Sequence, residues 1–473
     1  MGRGRQQGRN KMDELTRRGF LEKGALSVGA VLASSILDRQ RQSVYGAVDE
    51  NSKPAILGGE PVSTEPYLSW PQYDKQMEDL FLESLRTLHW CRISDPASCV
   101  PDFEKAFAEH CGAKYCIAVN SGTSSLITAL AALDVGPGDE VITTPYTYRA
   151  TVNTILTHYA LPILADVDPK TFMIDPKSIE EHITPRTKAI LPVHIGGAPA
   201  NMDEILEIGK RHNIPVVEDA CQAHFGRWRD KYLGTLGTFG CFSMQISKNI
   251  SCGEGGAVFC DDIDLADKAF KIHTHCHGAI SEDYMRFEDV MNRGYRSYNF
   301  RMTAFQAAIL LAQLPTVEDR AKTRNENALY LAELLRDIPG VHPQVIYDGG
   351  TSAWHLFMFT INEEEFGCSR NAVFEAIRAD EIAATTGYGS DQAEWVKYLT
   401  DLNSTPEARR IYCDEELKGL AERTQIPNND YLCANAIWFF QNQFLAPRSN
   451  MDAMAASLRR IQKNAKAIAK ALG

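Results

Sequence analysis

Across 473 residues the chain lacks almost everything that would make it other than a large globular protein. It has no apolar run of the roughly 20 residues that cross a bilayer, and no repeat, low-complexity tract or collagen-like period. Its 12 cysteines are scattered, without a CxxC pair or regular spacing, so neither a disulfide framework nor a zinc ribbon is implied. Positive charge is also scarce. The chain carries 49 Lys and Arg against 61 Asp and Glu, a net of -12, and nine of the basic residues fall within positions 1–47. The body beyond them holds 40 basic and 57 acidic side chains, which repels polyanions and excludes nucleic acid as a partner.

What is present is 44% hydrophobic and 23% charged residues, enough for a sizeable core and two or three domains. At the N-terminus Arg17-Arg18 directly precede Gly19-Phe20-Leu21 and a 14-residue apolar stretch, Gly24 to Leu37, built largely of small residues. That stretch is too short for stable membrane insertion, and with its basic flank it reads as a Tat-type export signal ending near Ala47. The expected localisation is extracytoplasmic where this signal is used and cytoplasmic otherwise.

From about residue 112 short apolar runs alternate with amphipathic stretches. The spacing predicts strands at 115–120, 140–145, 162–167, 188–194, 214–220, 241–245 and 256–260, mostly continuous apolar runs of the kind buried parallel strands show. Helices at 124–133 and 202–212 lie between them, giving a doubly wound α/β sheet. From about 315 longer helices with fewer strands suggest a smaller second domain.

In such sheets ligands bind beyond the carboxyl ends of strands. There the chain places Ser121-Gly122-Thr123 before a helix, a phosphate cup by geometry, and Asp219 with Gln222 after another strand. Lys248 follows the strand at 241–245, just ahead of Gly253, Gly255 and Gly256. A phosphate cup, a strand-end carboxylate and a lysine form the chemical set of pyridoxal phosphate: a Schiff-base amine, a partner for the pyridinium nitrogen and a phosphate anchor. The run of His273, His275, Cys276 and His277 has ligand chemistry, but alternate residues of an extended segment point to opposite faces, so no metal site is expected.

The motifs "NSGTSSL" (120–126), "PYTYRATVNTI" (145–155), "VVEDACQAHFG" (216–226), "SMQISKNISCGEGGAVF" (243–259) and "SYNFRMTAFQAAILLAQL" (297–314) carry a resemblance. From about residue 55 onward the chain resembles the DegT-type sugar aminotransferases, a branch of the fold-type I pyridoxal phosphate enzymes. The resemblance implies residues 1–47 as signal or tail, 48–75 as an N-terminal arm, 76–314 as a large, mostly parallel-sheet domain and 315–473 as a small α/β C-terminal domain. It implies Lys248 as the Schiff-base lysine and the base that moves a proton between the substrate α-carbon and the cofactor. Asp219 would pair with the pyridine nitrogen, Gln222 with the phenolic oxygen, and Tyr148 would stack on the ring. Gly122, Thr123 and Ser243 would hold the phosphate, while Asn299 would reach the neighbouring active site of a homodimer. His277-Gly278 falls where the family has a His-Gly pair in an active-site loop, and Arg301 reads as a structural ion pair or, second to that, a substrate-anion contact.

The implied reaction is transamination from glutamate or glutamine to a keto-sugar or keto-cyclitol, nucleotide-linked or free, in a ping-pong cycle. Retention of Lys248 disfavours the dehydration run by relatives that lack this lysine. Segment 385–390, "TTGYGS", departs from the His-Tyr-Pro of nucleotide-sugar enzymes, and the closing residues 433–464 look more like the scyllo-inosose aminotransferase branch. The export signal keeps a second class open, an exported pyridoxal-phosphate- or sugar-binding protein without turnover on the same fold.

Overall fold

The computed structural model describes residues 50–62, 66–93, 98–277, 296–402 and 405–472. The twin-arginine segment and Gly278 lie outside these residues. Among the described residues no helix is long and apolar enough to cross a membrane.

All seven expected runs form strands: β1 (Tyr115–Val119), β2 (Glu140–Thr143), β3 (Leu161–Leu164), β4 (Thr187–Leu191), β5 (Val217–Asp219), β6 (Phe239–Ser243) and β7 (Gly256–Cys260). β2 runs parallel to β3 and β4, and β5 runs parallel to β6. Parallel bridges Ile190–Val216 and Val193–Asp219 join the two halves, so the strand order is β3-β2-β4-β5-β6-β7-β1. β7 departs from the parallel expectation and runs antiparallel to both of its neighbours. The reason is its connection: residues 244–255 contain no helix, and a parallel return takes a crossover of a dozen or more residues, usually helical.

Alternate side chains of β1, β2, β4, β6 and β7 enter different cores. Cys116 and Ala118 of β1 join one, and Ile117 and Val119 join the other. Both faces are therefore covered, which is why these strands read as unbroken apolar runs. The six parallel strands end at one edge of the sheet, and helices Gly122–Ala132 and Ala150–Thr157 start there.

A second sheet is antiparallel, with β9 (Leu356–Ile361) between β8 (Val341–Pro343) and β10 (Ala436–Phe440). Helices Val317–Leu335, Arg370–Ala379 and Arg448–Lys463 cover it through Leu331, Leu335, Val373, Ile377, Met454 and Leu458. Residues 66–73 return across the edge of the large sheet. Asn442 Nδ2 donates to the Leu68 carbonyl at 2.9 Å and Trp70 Nε1 to the Lys248 carbonyl at 3.1 Å.

The histidine run is not extended. His273 closes helix Ile263–His273 and is buried, while His275 and Cys276 take positive φ of 55° and 61° in the turn that follows. Among the described residues no group of three His, Cys, Asp or Glu side chains is placed to hold a metal.

Candidate active site

Beyond the carboxyl ends of β1, β5 and β6 lies a cavity of about 810 Å³. Gly122, Thr123, Tyr148, Asp219, Gln222, Ser243 and Lys248 all line it, although they come from four separate segments of the chain. Asn299 does not. It is exposed, bridged to Thr274, and outside the cavity of its own chain.

The cup forms where β1 turns into helix Gly122–Ala132. Ser121 is the N-cap and its hydroxyl accepts from Ser124 N at 3.0 Å. The first N–H groups of a helix have no partner within it, so those of Gly122 and Thr123 remain for the cavity. No side chain fits at position 122, because a Cβ there would sit 2.6 Å from Ser243 Cβ and 2.9 Å from Cys221 Sγ. Glycine brings the helix end against Ser243, and the result is a bare backbone cradle with a hydroxyl beside it, the arrangement a phosphate group fits.

Asp219 terminates β5 and is 3% exposed. Thr151 Oγ1 donates to Oδ2 at 2.9 Å, and Cys221 N donates to Oδ1 at 3.2 Å. The strand end is itself fixed by Glu218, which accepts from the backbone of Gly234, Leu236 and Gly237 at 2.8, 2.7 and 2.7 Å. His194 completes that anchor: its Nδ1 accepts from Ala200 N, so Nε2 carries the proton and donates to Glu218 at 3.0 Å. Held only by neutral donors, Asp219 presents a buried negative charge that a protonated ring nitrogen matches.

Gln222 is clamped at both ends. Gly196 N donates to Oε1 at 2.9 Å and Nε2 donates to the Tyr388 hydroxyl at 2.9 Å, which leaves a second Nε2 proton free for a ligand oxygen. Tyr148 is 67% exposed and belongs to the cavity wall, not to the core, which Tyr146 enters instead.

Lys248 sits in the 244–255 connection, its N–H bonded to the Gln245 carbonyl at 2.8 Å. Burial lowers its pKa, partly opposed by the charge of Asp219, and so favours the uncharged amine that attacks a carbonyl. Its Nζ lies 3.5 Å from Nε2 of His355.

The far wall was not assigned by sequence. It consists of Trp70 from the arm, His355 and Leu356 at the start of β9, Thr385 and Tyr388 from the "TTGYGS" segment, and Trp438, Phe440, Gln441 and Asn442 around the end of β10. Tyr388 packs edge-on against Trp438 at 4.7 Å and Tyr146 at 5.4 Å. The unusual 385–390 segment and the Trp438 and Gln441-Asn442 pattern were visible signals; Thr151 and His355 had none. Arg301 forms no ion pair with any described carboxylate, contrary to the structural pairing expected of it, and its Nη1 is buried without a partner among the described residues. His277 is exposed and does not line the cavity.

Residues 81–417, more than half of the chain, match the DegT/DnrJ/EryC1/StrS aminotransferase family. The L-glutamine:2-deoxy-scyllo-inosose aminotransferase of Streptoalloteichus tenebrarius is 32% identical over 420 residues, covering 87% of this chain and 97% of its own. The crystal structure of 3-amino-5-hydroxybenzoic acid synthase superposes with a TM-score of 0.72 at 29% identity, over 84% of this chain and 98% of its own. A GDP-4-keto-6-deoxymannose-3-dehydratase, solved with a trapped adduct of pyridoxal phosphate and glutamate, shares the fold at a TM-score of 0.71 and 24% identity, over 84% and 100%.

Proposed function

The chain belongs to the DegT/DnrJ/EryC1/StrS aminotransferase family, and from that premise we propose that it transfers the amino group of glutamine to a free keto-cyclitol or keto-sugar. It is a pyridoxal-phosphate-dependent aminotransferase of fold type I. The observation that carries the proposal is the convergence of Lys248, Asp219, Gln222 and the bare Gly122–Thr123 cradle on one cavity.

Bound pyridoxal phosphate supplies a conjugated ring that accepts the electron pair left when the substrate α-carbon loses its proton. The protein's residues do the rest. Gly122 and Thr123 N–H groups with the Ser243 hydroxyl hold the phosphate, and Asp219 keeps the ring nitrogen protonated. Gln222 would donate to the phenolic oxygen, and Tyr148, exposed on the cavity wall, would lie against the ring face. Lys248 would hold the cofactor through its amine and would move the proton to and from the substrate carbon. The working unit in this reading is a homodimer with shared sites, supported by Asn299, which is exposed and outside its own cavity and so is available to a neighbouring site. Glutamine as donor and a free cyclitol or sugar as acceptor are supported by the near full-length likeness to a glutamine-dependent scyllo-inosose enzyme and by the altered 385–390 wall.

The test is visible absorbance of purified protein with glutamine, glutamate and no donor, for the native chain and for Lys248→Ala. The native band converts to the pyridoxamine form with glutamine. Lys248→Ala lacks the convertible band and turns over at least about 10³-fold more slowly. A native band untouched by either amino acid refutes the transaminase reading.

Export in folded form through the twin-arginine segment is a second element of the proposal, supported by Arg17-Arg18 and the apolar stretch behind them. Replacing both arginines with lysine should retain the protein in the cytoplasm on fractionation, and an unchanged distribution would refute the export reading.

A further inference from the structure

At the cavity wall and just behind it lie two buried histidines, His355 and His224, that the reaction as described does not use. His355 stands immediately before β9 and is buried, its Nε2 3.5 Å from Lys248 Nζ. His224, three residues beyond the Cys221 that lines the cavity, is 1% exposed. Among the described residues neither nitrogen of His224, nor Nδ1 of His355, has a side-chain hydrogen-bond partner. Unpaired buried imidazole nitrogens cost stability and call for a compensating use.

The charged groups that face this pair are Lys248 from the 244–255 connection and Arg324 from helix Val317–Leu335, while Cys221 and Asp219 from the end of β5 face Lys248 itself. Arg324 is itself buried, bonded through Nε to Gln441 Oε1 at 2.9 Å. Burial first, then the charge of Lys248, holds both imidazoles in the uncharged form, His224 down to about 3. An uncharged imidazole keeps one lone pair, and beside an amine that gains a proton it is an acceptor.

We propose that His355 is a positioning residue for Lys248: its Nε2 accepts an N–H of the lysine nitrogen and fixes the direction from which that nitrogen gives and takes the substrate proton. His355 neither gains nor loses a proton; the proton broken from the substrate carbon forms an N–H bond on Lys248 and leaves by the same atom. The inference rests on the reading of Lys248 as the cofactor-bearing lysine.

The experiment uses the cofactor-loaded protein and two variants, His355→Leu, which removes the acceptor, and His355→Gln, whose amide reaches the position of Nε2. With leucine the single-turnover rate with glutamine should fall about tenfold while its KM changes less than about twofold. The pH midpoint of the visible band should move down by about one unit, because the protonated lysine nitrogen has lost an acceptor. Glutamine at position 355 should restore most of both. A histidine that only fills space leaves the midpoint where it was, and an unmoved midpoint with a native rate in His355→Leu overturns the proposal. If neither variant folds, ¹⁵N-histidine spectra of the native protein decide: an unprotonated Nε2 on His355 supports the proposal and a protonated one overturns it. A native protein whose band is unaffected by borohydride and persists in Lys248→Ala refutes instead the assignment of Lys248.

Discussion

The two walls of the cavity are built in opposite ways. The cofactor wall is made at the carboxyl ends of the parallel strands β1, β5 and β6, where Asp219 ends its strand and Gly122 and Lys248 follow theirs by a few residues. The substrate wall is gathered from an arm, a strand start, a loop and a strand end: Trp70, His355, Tyr388 and Trp438. Asp219 on the first wall is fixed by the backbone N–H of Cys221 and by Thr151 of the helix that starts at the same sheet edge. The second wall is held by side chains touching other side chains, as in the Tyr388–Trp438–Tyr146 packing. The cofactor wall supplies a fixed chemistry, and the substrate wall is where specificity can change without disturbing it.

The sharpest way to break that division is at Asp219. Asp219→Asn keeps the shape and the Thr151 bond but removes the charge that holds a ring nitrogen protonated. Both half-reactions should slow by about 10² to 10³, with apo stability changed by less than about 1 kcal/mol, since one hydrogen bond is exchanged for another. Single-turnover rates with glutamine and with the acceptor check this. A variant slowed in one direction alone would show that the cofactor wall is not common to both halves.

That contrast also explains what was legible in the sequence. Seven strands and the Gly122, Asp219, Gln222 and Lys248 positions were readable because strand, turn and functional residue lie within one short stretch, and the turn chemistry is local. The reversal of β7 was not readable from its apolar run, since hydrophobicity reports burial and not direction. Thr151 meets Asp219 across 68 residues, His355 meets Lys248 across 107 and Trp70 meets the same lysine across 178. Nothing in a local motif marks such contacts, because their spacing is set by how the second sheet and the arm dock on the first.

The seam between the walls should be sensitive to acid. His224 from the cofactor side is held at about 3 against an ordinary 6.5, chiefly by burial. The unfolded chain takes up its proton as pH falls through 6.5, whereas the folded chain refuses it until about 3. Stability is therefore complete at neutral pH and is lost as pH falls across that window, by up to about 1.4 kcal/mol per pH unit per such histidine. His355, lowered in the same direction, adds to the slope. Urea unfolding between neutral pH and about pH 4 should show it, and His224→Asn should be measurably less steep because an amide does not titrate. Equal slopes in the two proteins would mean that the seam does not govern acid stability.

The smallest expected effect tests where the two walls meet. Tyr388 belongs to the substrate wall, yet its hydroxyl accepts from Nε2 of Gln222, the residue proposed to meet the phenolic oxygen of the cofactor. Tyr388→Phe keeps the ring against Trp438 and Tyr146 and removes that one acceptor, a loss of about 0.5–1.5 kcal/mol. Because the role proposed for Gln222 would engage it in both directions of the exchange, the two half-reactions should slow by the same factor, about 2- to 10-fold. A variant impaired with the acceptor but native with glutamine would show instead that Tyr388 acts on the acceptor directly. Equal impairment would mean that a change in the variable 385–390 segment reaches the cofactor through Gln222, and that substrate specificity at this wall cannot be altered at position 388 without a measurable cost to the chemistry.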